Sequence, residues 1–182
     1  MRQFLTLTVV LLLVALTAQA QAPGSQQMKN GSREVKTSTG KTEDGQWITL
    51  DKALKLAKAN HKKVLIDFGA DWCGYCKKMD KEVFPDKQVQ SLLKKYFYAV
   101  KIDVESKDPV EFHGKTYTKG EFAQAFGVSG LPTYVFIDST GEPIAGQPGY
   151  IPAPAFAKML SYIGSDAYKT TKFKAYNNSS DR

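Results

Sequence analysis

The chain predicts a single α/β domain in which a mixed sheet lies between layers of helices. Three observations carry that reading. Short apolar runs suited to strands, "KVLIDFGA", "FYAVKIDV" and "PTYVFID", alternate with segments whose apolar residues recur at helical spacing. "PTYVFID" and "PIAGQPGY" are joined only by "STGE", which is a turn and not a crossover. A length of 182 residues supports one core with flanking segments and is short for two domains.

Residues 1–20 carry Arg2, an apolar run from Phe4 to Leu16 and the small-residue ending Ala18-Gln19-Ala20, the layout of a cleavable export signal. The run is too short to span a bilayer comfortably; an uncleaved anchor is the competing reading. Export followed by cleavage leaves a periplasmic or secreted protein with no stable membrane insertion. Residues 21–46 are polar, rich in Gly, Ser and Thr, and without hydrophobic period, which predicts a disordered spacer.

The domain is expected over residues 47–165, and 166–182 read as a polar, basic tail. Thr49 can cap a helix with Leu50, Ala53, Leu54 and Ala57 on one face and Asn60 at its end. The strand "KVLIDFGA" leads into "CGYCKKMDKEVF", helical until Pro85, and Asp86 can cap a second segment bearing Val89, Leu92, Leu93 and Tyr96. After "FYAVKIDV", Thr118 and Glu121 form a capping box ahead of Phe122, Ala125 and Phe126, with Gly127 at the C-cap. A last helix from Pro154 to Ile163 carries Phe156, Met159, Leu160 and Ile163 on one face. Strands should run parallel where helices cross over and antiparallel at the final hairpin.

The net charge is +7, falling to +6 once residues 1–20 and their Arg2 are removed. Lysines come singly or in pairs, as solvated helix faces carry them, so nucleic acid is not an expected partner.

Cys73 and Cys76 are the chain's two cysteines. Covalent haem attachment needs histidine after the second cysteine, where Lys77 stands. Zinc needs four ligands, and His61 and His113 are not in a paired spacing, so neither a metal nor an organic cofactor is expected. An inert staple stays open, although so short a loop removes little entropy from the unfolded chain. A redox-active dithiol suits the position best. Cys73 falls where a strand enters a helix, and free backbone N–H groups there favour a thiolate. Cys76, three residues on, shares the helical face and can resolve a mixed disulfide.

"VLIDFGADWCGYCKKM" together with "GVSGLPTYVFID" resembles the thioredoxin family over about residues 47–165. The exported, periplasmic subgroup is the nearest in pattern; it includes the C-terminal domain of the membrane thiol:disulfide interchange protein and stand-alone periplasmic thioredoxins. The resemblance implies the thioredoxin fold, a mixed central sheet sandwiched by helices, here with an inserted segment over 104–127 before the cis-Pro loop. It implies that Asp67 is a buried carboxylate of raised pKa that takes the Cys76 proton. It implies that Pro132 is a cis proline packed on the disulfide, beside backbone that pairs with extended substrate. Trp72, Gly74, Tyr75, Leu131 and Gly149 complete the implied substrate-binding set.

Departures from the family are Gly69, where tryptophan is common, Tyr75 between the cysteines, and Ala99, where a lysine near the aspartate is expected. The inserted segment reads as a loop beside the active site. The expected function is reduction of disulfides in substrate proteins by a monomer recharged by a membrane electron donor. An oxidase or isomerase with the same residues, and a non-catalytic binding module of the same fold, are the alternatives.

Overall fold

The computed structural model describes residues 47–179. The export signal and spacer expected over 1–46 lie outside them. Helix α1 (Leu50–Asn60) buries Leu50, Ala53 and Ala57, the stripe its periodicity requires. Thr49 stands at the N-cap without a side-chain hydrogen bond, and the left-handed residue after the helix is His61, following Asn60.

Strand β1 (Lys63–Gly69) is buried along nearly its whole length, as a central strand must be. Helix α2 (Gly74–Glu82) stops before Pro85, and α3 (Lys87–Tyr96) starts at Asp86, whose carboxylate accepts from the N–H groups of Gln88 and Val89. Strand β2 (Phe97–Asp103) follows.

The segment expected as a loop is a hairpin of β3 (Pro109–Phe112) and β4 (Lys115–Thr118), turning at His113 and Gly114, both with positive φ. Its tip does not lie by the cysteines. His113 Nε2 is 3.1 Å from the Gly141 carbonyl, at the opposite end of the sheet. Glycine at 141 keeps that contact open, since a Cβ there would come 2.9 Å from the His113 ring.

Helix α4 (Lys119–Ala125) starts on the complete Thr118–Glu121 capping box. Strands β5 (Thr133–Ile137) and β6 (Pro143–Pro148) form the terminal hairpin, and α5 (Ala153–Gly164) buries Phe156, Leu160 and Ile163. The polar tail adds a 3-10 turn (Ala167–Lys169) and α6 (Phe173–Ser179), which packs on α5 through Tyr162 with Phe173 and Tyr176.

The sheet order is β2-β1-β5-β6. The pairing β1–β2 is parallel, whereas β1–β5 is antiparallel despite the helix between β2 and β5. Phe68 stands opposite both Ile102, near the end of β2, and Thr133, at the start of β5. The chain therefore re-enters the sheet at the end it left, which reverses the strand.

Two apolar layers close the faces of the sheet. Leu65, Tyr134 and Phe136 face α2, α3 and α5 through Met79, Phe84, Leu93, Phe156 and Leu160. Val64, Ile66, Phe68, Val135 and Ile137 face α1, α4 and the hairpin through Ala53, Ala57, Val110 and Phe122. Period-two alternation sorts them, and it puts Asp67 and Gly69 on the same side as Leu65, under α2.

Candidate active site

The Gly69-to-Cys73 turn delivers the chain from β1 into α2, and both cysteines stand at that junction. Cys73 is the N-cap residue, and its sulfur accepts a hydrogen bond from the Cys76 N–H at 3.1 Å. A sulfur in this position lies among the unpaired amides of the first turn, which stabilise negative charge on it. The cysteines are joined as a disulfide with Cα atoms 5.2 Å apart. Both are buried, so exposure does not distinguish them; position does. Cys76 faces the sheet, and a Cβ built on Gly69 would lie 3.3 Å from its sulfur. The missing side chain at Gly69 leaves the inner face of Cys76 against bare backbone.

Asp67 stands one pleat behind Gly69 on the same face and is 3% exposed. Its Oδ1 has no hydrogen-bond partner among the described residues, although it is fully enclosed. Burial pushes the carboxyl up to about 7; the Lys101 ammonium opposes the shift, and the Asp80 charge adds to it. The expectation of Ala99 in the lysine's place is overturned by register. Asp67 pairs with Lys101 across β1–β2, and Ala99 pairs with Leu65. Lys101 Nζ lies 4.0 Å from Asp67 Oδ2 and contacts Asp80 directly. Across β1–β5 the partner of Asp67 is Tyr134, whose buried hydroxyl is also without a hydrogen-bond partner among the described residues. Burial, with the Asp67 and Asp80 charges, holds that hydroxyl above the ordinary phenol range.

Around the disulfide, Trp72 and Tyr75 are 66% and 62% exposed. The Trp72 indole N–H donates to Glu105 at 2.7 Å. The Tyr75 ring lies 6.1 Å from that of Tyr150. The Leu131–Pro132 peptide bond is cis, and the Pro132 carbonyl accepts from the Gly149 N–H at 2.8 Å. Gly149 has φ +88°, a conformation side chains resist, and nothing fills the space beside it. Gly74 is exposed at the first turn of α2, and Leu131 is half-buried at the start of the Pro132 segment.

The family model of the thioredoxin-like domain matches residues 50–164. The chain belongs to that family. Among related proteins of this thioredoxin-like family, the thiol:disulfide interchange protein DsbD of Vibrio cholerae is 39% identical over 117 residues, 63% of this chain and 18% of that one. The disulfide bond reductase DsbH of Chlamydia pneumoniae is 30% identical over 103 residues, 55% of this chain and 60% of that one. The chain thus spans less than a fifth of the interchange proteins. A thioredoxin-fold protein from Helicobacter pylori superposes with a TM-score of 0.60 at 29% identity, covering 64% of this chain and 83% of that one. The thioredoxin fold expected from the sequence is therefore the observed one.

The structure brings Cys73, Cys76, Asp67, Trp72, Gly74, Tyr75, Leu131, Pro132 and Gly149 to one end of the sheet. It adds Lys101, Asp80, Glu105, Tyr134 and Tyr150, which sequence reasoning passed over. Asp80 was within reach, because it lies four residues after Cys76, one helical turn on. Lys101, Glu105 and Tyr150 needed strand register and loop path.

Proposed function

We propose that the chain is an exported thiol-disulfide oxidoreductase that reduces disulfides of substrate proteins. The observation that carries this reading is the buried Asp67 beneath a Cys73–Cys76 pair at a helix N-terminus. In the reduced protein the Cys73 thiolate attacks a substrate disulfide sulfur. That S–S bond breaks, its electron pair leaves on the second substrate sulfur, and a mixed disulfide forms. The Cys76 thiol gives its proton to the Asp67 carboxylate and attacks Cys73 sulfur, releasing the other substrate thiolate. The substrate gains two electrons and the protein ends as the Cys73–Cys76 disulfide.

A carboxyl pushed up to about 7 suits this task, because it takes and returns a proton near neutral pH. Trp72, Gly74, Tyr75, Leu131, Pro132 and Gly149 receive the substrate segment, which pairs with the Leu131 backbone as an added strand. A membrane-bound dithiol donor recharges the monomer, and residues 1–20 direct its export. The likeness to proteins named disulfide bond reductase and thiol:disulfide interchange protein supports the reducing direction.

Insulin reduction with a dithiol donor tests the proposal: Cys73→Ser abolishes turnover, and retained turnover overturns it. Equilibration with glutathione tests direction. A potential near −270 mV is expected for a reductase, and one near −120 mV would mark an oxidant.

A further inference from the structure

Among the described residues three large apolar side chains are exposed, Trp72, Tyr75 and, less so, Phe173, and the first two neighbour the cysteines in the chain. Those two are tied to opposite edges of the sheet. Trp72 donates to Glu105, which follows β2; Tyr75 lies against Tyr150, which follows β6; β2 and β6 are the outer strands. The disulfide, at the end of central β1, therefore has Trp72 turned toward the β2 edge and an aromatic wall of Tyr75 and Tyr150 toward the β6 edge.

The Tyr150 wall is held from several sides. Its hydroxyl donates to Glu82 Oε2 at 3.1 Å, and the Lys78 ammonium sits 4.4 Å from its ring centroid. Lys78 and Glu82 pair with each other at 3.8 Å. The charges of the wall are thus turned on one another, and the Tyr75 ring is what the wall presents to an incoming chain. Gly149, next to Tyr150, is hydrogen-bonded to Pro132, which makes the wall continuous with the Pro132 segment.

We propose that Tyr75 and Tyr150 form a specificity wall that takes an aromatic side chain adjacent to the substrate's reacting half-cystine. The inference rests on Cys73 as the attacking sulfur. The ring of the substrate packs on Tyr75, Tyr150 holds Tyr75 in place, and an acidic side chain gains nothing because Lys78 is already engaged by Glu82 and Tyr150.

The test is trapping, which needs no turnover. The reduced Cys76→Ala protein reacts with three peptides whose single cysteine is activated as a thionitrobenzoate disulfide, with Phe, Ala or Asp beside it. Cys73 sulfur bonds to the peptide sulfur and thionitrobenzoate leaves, so its colour gives the rate. Expected is a rate for the Phe peptide about 2- to 10-fold above the Ala peptide, the range one aromatic pair supplies, with Asp equal to Ala. Tyr150→Ala, or Tyr75→Ala, brings the ratio to one; Tyr150→Phe, which keeps the ring and loses the Glu82 bond, keeps most of it.

Equal rates for the Phe and Ala peptides, a fastest Asp peptide, or a ratio that survives loss of both rings would overturn the inference. So would a parallel fall in the rate with free dithionitrobenzoate in Tyr150→Ala, which would make Tyr150 a support of Cys73 itself. A preference for Phe in a protein that never reduces insulin would leave this inference standing and sink the reductase reading.

Discussion

Strand β1 carries two buried charges on one face, Lys63 and Asp67, and the fold treats them in opposite ways. Lys63, at the start of the strand, donates to the Gly164 carbonyl at 3.1 Å and pairs with Asp166 at 3.2 Å. Asp67, one pleat behind Gly69, keeps an enclosed oxygen without a partner among the described residues, and Lys101 stands 4.0 Å away. The intervening Leu65, and the facing Val64, Ile66 and Phe68, are hydrocarbon. A charge that only joins α5 to the sheet is satisfied, whereas the one beneath the disulfide is held short of satisfaction, and its proton affinity rises accordingly.

The sharpest way to break this contrast is Asp67→Asn. The Asp67 pKa is raised from 3.8 to about 7, so folding favours the protonated acid. Its contribution to stability is present below the unfolded value and is lost as pH rises through 7. Above that pH the native chain carries an ionised buried carboxylate, and Asp67→Asn should stabilise the oxidised protein by up to about 4 kcal/mol. The gain shrinks as pH falls and vanishes below about pH 4. Urea denaturation at acid and alkaline pH measures it; an equal gain at both would refute the contrast.

Lys63→Ala should do the reverse, costing about 2 kcal/mol at alkaline pH through lost hydrogen bonds of a charged group and less at acid pH, where protonation of Asp166 removes part of the pairing, with insulin reduction per folded molecule unchanged. The smallest effect is expected from Lys101→Met. Lys101 lowers the Asp67 pKa, so its removal moves the midpoint of the pH–rate profile upward, by less than about one unit because the lysine is part-exposed. A midpoint that stays or falls would show that Lys101 does not act on Asp67.

Much of this was legible in the chain. The capping box at Thr118, the Asp86 cap, the apolar stripes of α1, α3 and α5 and the strand-to-helix position of Cys73 all follow from local spacing. The pleat and the helical turn repeat at distances set by covalent geometry, and any sequence reader can count them. The burial of Asp67 was an expectation of the family resemblance rather than of spacing, and the packing of α2 on that face of β1 is what encloses it.

What lay beyond reach depends on how far each connection travels before the chain returns. Lys101 reaches Asp67 because α2, Pro85 and α3 consume a length that sets the β1–β2 register, and a slip of two residues would have delivered Ala99 in its place. The inserted hairpin runs to the far end of the sheet, where His113 meets Gly141. Trp72 meets Glu105, and Tyr75 meets Tyr150, across 33 and 75 residues of chain. The sequence by itself determined that two sulfurs stand three residues apart where a strand enters a helix, with an acid on the strand before them, because those lie within one strand and one helical turn. Only the tertiary structure decided the lysine beside that acid and the partners of Trp72 and Tyr75, because register and loop path are properties of the packed whole.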